Sequence, residues 1–287
     1  MKYAFIQRHK DPFRISSMAR VLDALLSGYY AWLARDNAPS SQVIRRQVID
    51  AKVKSLFEKR KQRYGSPRLA RDLREQFAVC VNTVAASLQR QGLVAKAGKK
   101  FKATTHSKHN LPVAPNLLEQ DFTATEPDQK WVADITYLWS DEGWLYLAVI
   151  IDLYSRTVVG WAMSERMKAA LVCDALMAAL WRRGMPKGVI VHSDRGSQYC
   201  ADAYQKIIRR HELRYSMSAK GNCYDNACAE SFFHTMKVEA IHGERFLTRE
   251  SMRKTVFEYI EIDYNRTRQH SAIGYLSPEA FEAQRVA

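Results

Sequence analysis

From about residue 130 onwards, the apolar and polar positions follow the patterns of β-strands. Every second residue of WVADITYL (131–138) shares a face, which predicts a strand with two different environments. GWLYLAVIID (143–152) is an almost continuous apolar run, as expected for a strand buried on both faces, and SRTVVGWAM (155–163) predicts a third strand. The short breaks between these segments indicate an antiparallel meander.

Further along the chain, helical and strand patterns alternate. They predict strands over 188–192 and 213–217 and helices over 168–183, 197–211, 226–241 and 248–264. Three meandering strands followed by alternating helices and strands form a mixed, five-stranded α/β sheet with helices on both sides.

The first third of the chain is predicted to be all-helical. Residues 15–35 have apolar residues at helical spacing, with a break at Ser27-Gly28, and further helices are expected over 43–63, 68–77 and 84–91. Two short helices joined by a tight turn are typical of a helix-turn-helix that binds DNA, with Arg68 as a candidate DNA contact. A small helical bundle without DNA contacts is the alternative.

The positive charge is confined to one part of the chain. Residues 1–125 contain 23 Lys and Arg against 9 Asp and Glu, whereas residues 126–287 contain 21 of each. This asymmetry favours an arm that binds a polyanion, although a solubilising surface is the alternative. We therefore predict a helical segment (1–40), a DNA-binding domain (43–95), a basic linker with Lys99 and Lys100 as DNA contacts (96–125) and an α/β core with a C-terminal helical extension (126–287).

Several protein classes are not supported. No segment of the sequence approaches the roughly 18 consecutive apolar residues needed to span a bilayer, and the first residues lack the pattern of a signal peptide. We therefore expect a cytoplasmic, nucleoid-associated protein without membrane association. The five cysteines are scattered without a Cys-x-x-Cys pair, which argues against disulfides and a zinc ribbon.

Three carboxylates occupy positions at which a sheet edge can gather them. Asp134 lies inside the first predicted strand, where a carboxylate is costly unless it is paired or bound to a metal. Asp194 follows a buried strand at its carboxyl end, and Glu230 lies on a helix that starts near Asp225-Asn226. Hard oxygen ligands suit Mg²⁺, and two such ions about 3.5–4 Å apart can promote phosphodiester chemistry. Coincidence is the alternative, because the chain has 30 acidic residues.

The motifs around these residues resemble those of a known family. WVADITYL, VHSDRGSQY and KGNCYDNACAESFFHTMKVE are similar to the three catalytic motifs of the retroviral-integrase-like DDE recombinases, and 35 residues separate Asp194 from Glu230, as in their Asp-Asp-35-Glu group. Within that group, the chain resembles the second-frame (OrfB) product of two-frame bacterial insertion-sequence transposases. The similarity extends to DLYSRTVVGW, YNRTRQHSAIGYLSP and SGYYAWL, and so covers nearly the whole chain.

The resemblance implies a fold, a reaction and a set of site residues. It implies an RNase H-like catalytic core that cuts and joins double-stranded DNA, at the inverted-repeat ends of the element and in target DNA. Asp134, Asp194 and Glu230 would hold two Mg²⁺ ions, for which Mn²⁺ can substitute. Asp152, which is shared with the family, would lie at the sheet edge or support the metal ligands from behind.

Two further residues are implied to contact DNA. In this family, a Lys or Arg often stands seven residues after the Glu. Here that residue is Lys237, nearly two helical turns from Glu230. The alternative is that Lys237 is an ordinary surface lysine. Gly221-Asn222, just before the catalytic helix, is expected to form part of a mobile loop that admits DNA, with Asn222 as a DNA contact.

The chain departs from its relatives in two ways. Ala85 and Ala86 stand where relatives more often carry a basic residue, which weakens the case for DNA contacts by the third helix of the predicted DNA-binding domain. The chain also lacks leucine-zipper heptads, which relatives often gain from an upstream-frame (OrfA) product. The expected partners are thus DNA, further copies of the chain on DNA and OrfA, separate or fused.

Two other functions stay open at this point. One is a metal-dependent nuclease of the same fold that only hydrolyses DNA. The other is a DNA-binding regulator whose basic N-terminal part does the work while the core is inactive.

Overall fold

The computed structural model describes residues 1–37, 40–74, 76–97, 114–218 and 226–286. The chain forms two compact units, Met1–Ala95 and Lys96–Ala287. Within the described part of the chain, no helix has both the length and the apolar character needed to cross a membrane.

The first unit begins with three short helices, α1 (Lys2–Arg8), α2 (Ile15–Val21) and α3 (Leu26–Asn37). The break between the last two lies before Leu26, so the prediction of a break at Ser27-Gly28 was wrong. Gly28 is inside α3, where a Cβ atom would clash with the Tyr3 hydroxyl. This glycine therefore permits close packing between helices and does not end one.

The next three helices are α4 (Ser41–Lys59), α5 (Ser66–Arg74) and α6 (Val81–Arg90). They enclose a small apolar core formed by Ile49, Val53, Phe57, Tyr64, Leu69, Ala70, Leu73, Val79, Val84 and Leu88. The helix α6 starts three residues earlier than predicted, with Cys80 as its N-cap. Buried Val84 and Leu88 face this core, whereas Ala85 and Ala86 are exposed.

The second unit contains the expected mixed sheet. Its strands are β1 (Lys130–Ser140), β2 (Gly143–Asp152), β3 (Val158–Ser164), β4 (Ile190–Ser193) and β5 (Arg214–Met217). They are arranged in the order β3-β2-β1-β4-β5. The first three strands are antiparallel, and β4 pairs in parallel with both β1 and β5. The prediction of a five-stranded mixed sheet is confirmed.

Helices cover both faces of this sheet. On one face, α7 (Ala169–Arg182) and α8 (Asp202–Arg210) pack against Trp131, Ala133, Ala148 and Ile150. On the other face, α9 (Ala227–Met236) and α10 (Arg249–Phe257) pack against Val132, Leu138, Leu147 and Val149. The odd and even residues of β1 thus enter two different cores, as the alternating pattern predicted.

Two of the predicted long helices change character part-way. After Met236, α9 continues as a wider π-helical segment, Lys237–Ile241, and α10 continues in the same way as Glu258–Tyr264. A final helix, α11 (Pro278–Val286), lies at the end of the chain. Residue periodicity does not distinguish α- from π-helical turns over so few residues, so these changes were not predicted.

The predicted linker is too long at its C-terminal side. Leu118 is buried in the core of the second unit, and the backbone N–H of Leu117 donates to the Ser216 hydroxyl at 2.8 Å. Asp121 accepts a hydrogen bond from the Lys130 ammonium at 2.7 Å. Residues 114–125 therefore belong to the second unit, because their apolar side chains cover part of its core. Lys99 and Lys100 lie outside the described residues.

Candidate active site

Asp134 and Asp194 are brought next to each other by strand pairing. The strands β1 and β4 run parallel, and their last paired residues are Ala133 and Ser193. Asp134 follows Ala133 within β1, and Asp194 directly follows the last residue of β4, so the register places the two aspartates next to each other, and the charge of Asp194 acts on Asp134. Their proximity follows from sheet topology, because 59 residues separate them in the chain.

The carboxylate of Asp134 lies in an unfavourable environment for a negative charge. Burial raises its pKa well above the usual range, and the charges of Asp194 and Glu230 raise it further. A hydrogen bond from the Ile135 N–H at 2.8 Å and the positive charge of Lys237 act in the opposite direction. A group of carboxylates that repel each other is a site that a cation would stabilise.

Asp194 is held by the turn that follows β4. Its Oδ1 atom accepts a hydrogen bond from the Gly196 N–H at 2.9 Å. The guanidinium of Arg195 donates to the Ser218 carbonyl at 2.7 Å, which ties this turn to the end of β5. Beneath it, the ring of His192 is fully buried and hydrogen-bonded to the hydroxyls of Ser216 and Ser218. His192 therefore has a structural role.

Glu230 is presented by the exposed side of α9. The opposite side of this helix is anchored in the core by Ala229, Phe232, Phe233 and Met236. Partial desolvation raises the pKa of Glu230, although the residue as a whole is exposed. The helix thus provides a fixed support for a carboxylate whose side chain can extend into solvent.

Asn226 connects the start of this helix to β1 and was not singled out from the sequence as a site residue. Its side chain is buried, and its amide group donates to the Ala133 carbonyl at 3.4 Å, one residue before Asp134. Its Oδ1 atom is buried without a hydrogen-bond partner among the described residues. The available signal was a polar residue directly before the helix that carries Glu230, which is equally typical of an ordinary N-cap.

Lys237 is buried and not an ordinary surface lysine. Only 7% of it is exposed, and its ammonium lies 5.0 Å from the centre of the Tyr137 ring. Burial lowers its pKa, whereas the charge of Asp134 opposes that change. Regular α-helix extends from Ala227 to Met236, and Lys237 itself has helical backbone angles, so the seven-residue relation to Glu230 holds. The contact with Tyr137 was not predicted.

The chemistry of these donors fits a hard divalent cation. Asp134, Asp194, Glu230 and the free amide oxygen of Asn226 are all oxygen ligands of the kind that Mg²⁺ prefers. Among the described residues, however, no three His, Cys, Asp or Glu side chains are grouped closely enough to hold one ion as they stand. The strand register supplies the Asp134–Asp194 pair, and Glu230 completes the set only if its side chain extends towards them.

Asp152 does not support the candidate ligands. It pairs with Trp131, three residue pairs away from Asp134, and its carboxylate is fully buried. It accepts hydrogen bonds from the N–H groups of Asp128 and Tyr154, both at 2.9 Å, and lies 3.5 Å from the Arg183 guanidinium. Burial raises its pKa to about 7. Of the two positions expected for Asp152, these contacts favour the edge of the sheet, at the turn that follows β2, over a position behind the candidate ligands.

The other predicted DNA contacts are not part of this arrangement. Asn222 lies outside the described residues, so its role stays a prediction. Arg68 is in the first unit, where its guanidinium lies 5.2 Å from the centre of the Tyr64 ring and Arg60 lies at 5.0 Å from the same ring. Such cation–π contacts orient the two arginines, and the Arg60 guanidinium also forms a salt bridge with the Asp72 carboxylate at 2.7 Å.

Comparisons with known proteins agree with this architecture. Models described as integrase core domain match residues 124–223 and 230–286, and a model described as HTH-like domain matches residues 44–101. The transposase InsF for insertion sequence IS3A of Escherichia coli (strain K12) is 59% identical over 288 residues, covering 100% of both chains. The insertion element IS600 uncharacterized 31 kDa protein of Shigella sonnei is 46% identical over 265 residues, covering 92% of this chain and 97% of that protein.

Solved structures were matched at low sequence identity. A chain of the simian T-cell lymphotropic virus intasome in complex with PP2A regulatory subunit B56 gamma has 14% identity and a TM-score of 0.46, with 81% of this chain and 74% of that chain covered. The HTLV-2 integrase catalytic core domain in complex with magnesium has 13% identity and a TM-score of 0.42, with coverage of 56% and 99%.

Proposed function

Because the chain belongs to the InsF family of insertion-sequence transposases and has an integrase-type catalytic core, we propose that it cuts and joins DNA at the inverted-repeat ends of its own element. The reaction would take place at Asp134, Asp194 and Glu230. The observation that carries this proposal is that parallel pairing of β1 with the end of β4 brings Asp194 next to Asp134, and that the charges of Asp194, Glu230 and Lys237 all act on Asp134.

The proposed reaction is phosphoryl transfer without a covalent protein intermediate. Two Mg²⁺ ions held by Asp134, Asp194 and Glu230, or Mn²⁺ in their place, would supply activation of the attacking oxygen and stabilisation of the leaving oxygen. The protein would orient the DNA strand so that the attacking and leaving oxygens are in line with the phosphorus. Lys237 would hold a phosphate next to the carboxylates, where a preorganised positive charge stabilises the transition state.

A single preparation of the full chain can distinguish this proposal from its two alternatives. We expect nicking of a supercoiled plasmid that carries the element ends, dependent on Mg²⁺, restored by Mn²⁺ and abolished by a chelator. A DNA-binding regulator would not nick the plasmid. We also expect joining of pre-cleaved element ends to a target duplex, which a hydrolysis-only nuclease of the same fold would not perform.

We further propose that the active assembly contains more than one copy of the chain on DNA and an OrfA product. Cutting two element ends and joining them to one target requires at least two sites to be held together. Activity of the chain alone, without an added upstream-frame product, would show that OrfA is dispensable for the chemistry.

Removing the charge of Lys237 should weaken the reaction on element ends and leave folding intact. Lys237→Met keeps most of the packing beside Tyr137, while Lys237→Arg keeps the positive charge and should retain part of the activity. The loss of one phosphate contact should also reduce the slope of log affinity against log salt by about one. A methionine variant that binds and cuts like the parent would show that this buried cation has only a packing role.

The distribution of charge predicts unequal DNA binding by the two units. Residues 1–95 contain 18 Lys and Arg against 7 Asp and Glu, whereas residues 114–287 contain 21 against 23. The first fragment should bind duplex DNA with a steep salt dependence, because its positive charges displace condensed counterions. The second should bind far more weakly at moderate salt. Fluorescence anisotropy with one duplex at several salt concentrations measures both, and equal affinities would contradict the prediction.

A further inference from the structure

The hairpin formed by β1 and β2 exposes three aromatic rings near its tip. Tyr137, Trp139 and Trp144 are 40%, 55% and 44% exposed. The centre of the Trp144 ring lies 5.2 Å from that of Tyr137 and 4.7 Å from that of Trp139, in edge-to-face arrangements. These residues, called the aromatic face below, form a contiguous apolar surface of a kind that marks binding sites more often than chance.

The aromatic face is firmly supported, and its rings are partly exposed to solvent. The Arg249 guanidinium donates to the Trp144 carbonyl at 3.2 Å, and the Arg249 N–H donates to the Glu142 carboxylate at 2.7 Å. The Asp141 N–H donates to the Phe246 carbonyl at 2.9 Å, which fixes the turn of the hairpin. A surface held in one conformation loses little conformational entropy when a ligand binds to it.

One residue connects the aromatic face with the candidate active site. The Lys237 ammonium lies against the ring of Tyr137, and its charge acts on Asp134. Tyr137 is three residues beyond Asp134 on β1, about 10 Å along an extended strand, and this odd step places the two side chains on opposite faces, so Lys237 is the residue that connects them. A DNA strand with one phosphate at Lys237 therefore passes within reach of these rings.

The charges around the aromatic face favour a polyanion over a second copy of the chain. Among the acidic side chains at the hairpin tip, Asp141 pairs with Arg245 and Glu165 pairs with Arg249. Glu142 accepts a hydrogen bond from the Arg249 backbone N–H. Ser164 on β3 pairs with Tyr146 on β2. Just beyond Ser164, Arg166 and Lys168 are exposed and form no ion pair within the described ranges. A symmetric dimer through this face would bring the positive rims of both copies together, which is unfavourable.

We propose that the aromatic face stacks unpaired nucleobases of the DNA strand on which the active site acts. Exposed aromatic side chains beside a positive rim are typical of surfaces that bind single-stranded DNA, because every base presents a π-face, whatever the sequence. Bases inside an intact duplex are already stacked, so the ligand is the unpaired DNA next to the end of the element. This inference rests on the proposed function and identifies the part of the DNA that the core contacts.

The test uses the full chain with Glu230→Gln, so that DNA is bound without being cut. One probe is the fully paired inverted repeat read from the DNA that flanks the gene, and the other is the same duplex with four unpaired nucleotides that contain 2-aminopurine. Binding should quench the 2-aminopurine fluorescence. Trp139→Ala and Trp144→Ala should each lower affinity for the second probe about 5- to 100-fold and change affinity for the paired probe less than twofold.

Matched variants keep this test decisive. Trp139→Phe should retain most of the affinity, because it retains an aromatic ring. Trp181→Ala removes a 72% exposed tryptophan from α7, away from the aromatic face, and should change the affinity for neither probe.

Equal losses of affinity for both probes, or no loss for either, would overturn the inference. So would a smaller molecular mass of the Trp139→Ala variant in light scattering, which would make the face a protein interface. These affinities do not require cutting, so failure of the plasmid assay with the parent chain would contradict only the proposed function.

Discussion

Asp134→Asn should lower DNA cutting by at least about 100-fold while the second unit stays at least as stable as the parent. The asparagine side chain has nearly the same shape but removes the charge that a metal ion would need, and losses of this size are typical when electrostatic stabilisation at an active centre is removed. The free protein, by contrast, loses a buried carboxylate that is repelled by Asp194 and Glu230. A purely structural residue would show the opposite pattern, with loss of stability and activity together.

The same reasoning applies to the other two carboxylates. Asp194→Asn keeps an oxygen that can accept the hydrogen bond from the Gly196 N–H, so the turn after β4 should be retained. Glu230→Gln changes an exposed side chain on α9 and should not affect folding. We expect both to reduce cutting by at least about 100-fold with DNA binding preserved.

Plasmid nicking, duplex affinity and thermal unfolding, measured on the same preparations, check these expectations. Asp174→Asn, which neutralises an exposed acid on α7, is the matched control and should behave like the parent. Full cutting activity in any one of the three active-site variants would remove that residue from the proposed site.

Much of the second unit could be predicted because its strands differ in how they are buried. The alternation around Asp134 and the apolar run from Gly143 to Asp152 each correspond to a strand with a distinct environment. The position of Asp194 after a short apolar segment placed it at a sheet edge. Periodicity could not show that Asp194 lies beside Asp134, because the parallel pairing of β1 and β4 is a property of the whole sheet. The motif resemblance indicated that the two aspartates belong to one site.

The features that were missed depend on contacts between distant segments. Asp152 has the motif of its family, but its role follows from Arg183 and the backbone of Asp128, which the motif does not reveal. Lys237 was predicted on a helix face, yet its burial against Tyr137 depends on how α9 crosses the edge of β1. In the same way, the helix patterns of the last 60 residues could not show that a buried ion pair joins the π-helical end of one helix to the loop that follows another.

That ion pair leads to the largest expected effect on stability. Glu239 and Arg268 are 6% and 8% exposed, and both carboxylate oxygens accept hydrogen bonds from the guanidinium at 2.9–3.1 Å. The Tyr259 hydroxyl donates to the same carboxylate at 2.9 Å. Glu239 lies in the π-helical segment, two residues after Lys237, so the pair fixes the end of α9 to the C-terminal part of the chain.

Glu239→Ala should therefore destabilise the second unit by about 3–5 kcal/mol, because it leaves a guanidinium buried without its carboxylate. For a unit of this size, that corresponds to a decrease in the unfolding temperature of roughly 10 °C. Glu244→Ala is the matched control: its carboxylate is 58% exposed and pairs with Lys96 at 3.5 Å, so its loss should change stability by less than about 1 kcal/mol. Thermal unfolding of the full chain, followed by circular dichroism, measures both.

The double variant Glu239→Leu with Arg268→Met separates the energy of the pair from the cost of an orphaned charge. Replacing both partners with apolar side chains leaves no buried charge, and it should be milder than Glu239→Ala even though more atoms change. If the double variant also cuts plasmid DNA, the ion pair is needed only for stability. If it is as stable as the parent but cuts poorly, the pair also holds the end of α9, and with it Lys237, in the position that the reaction requires. Equal and small changes in Glu239→Ala and Glu244→Ala would contradict the assignment of a buried, supporting ion pair.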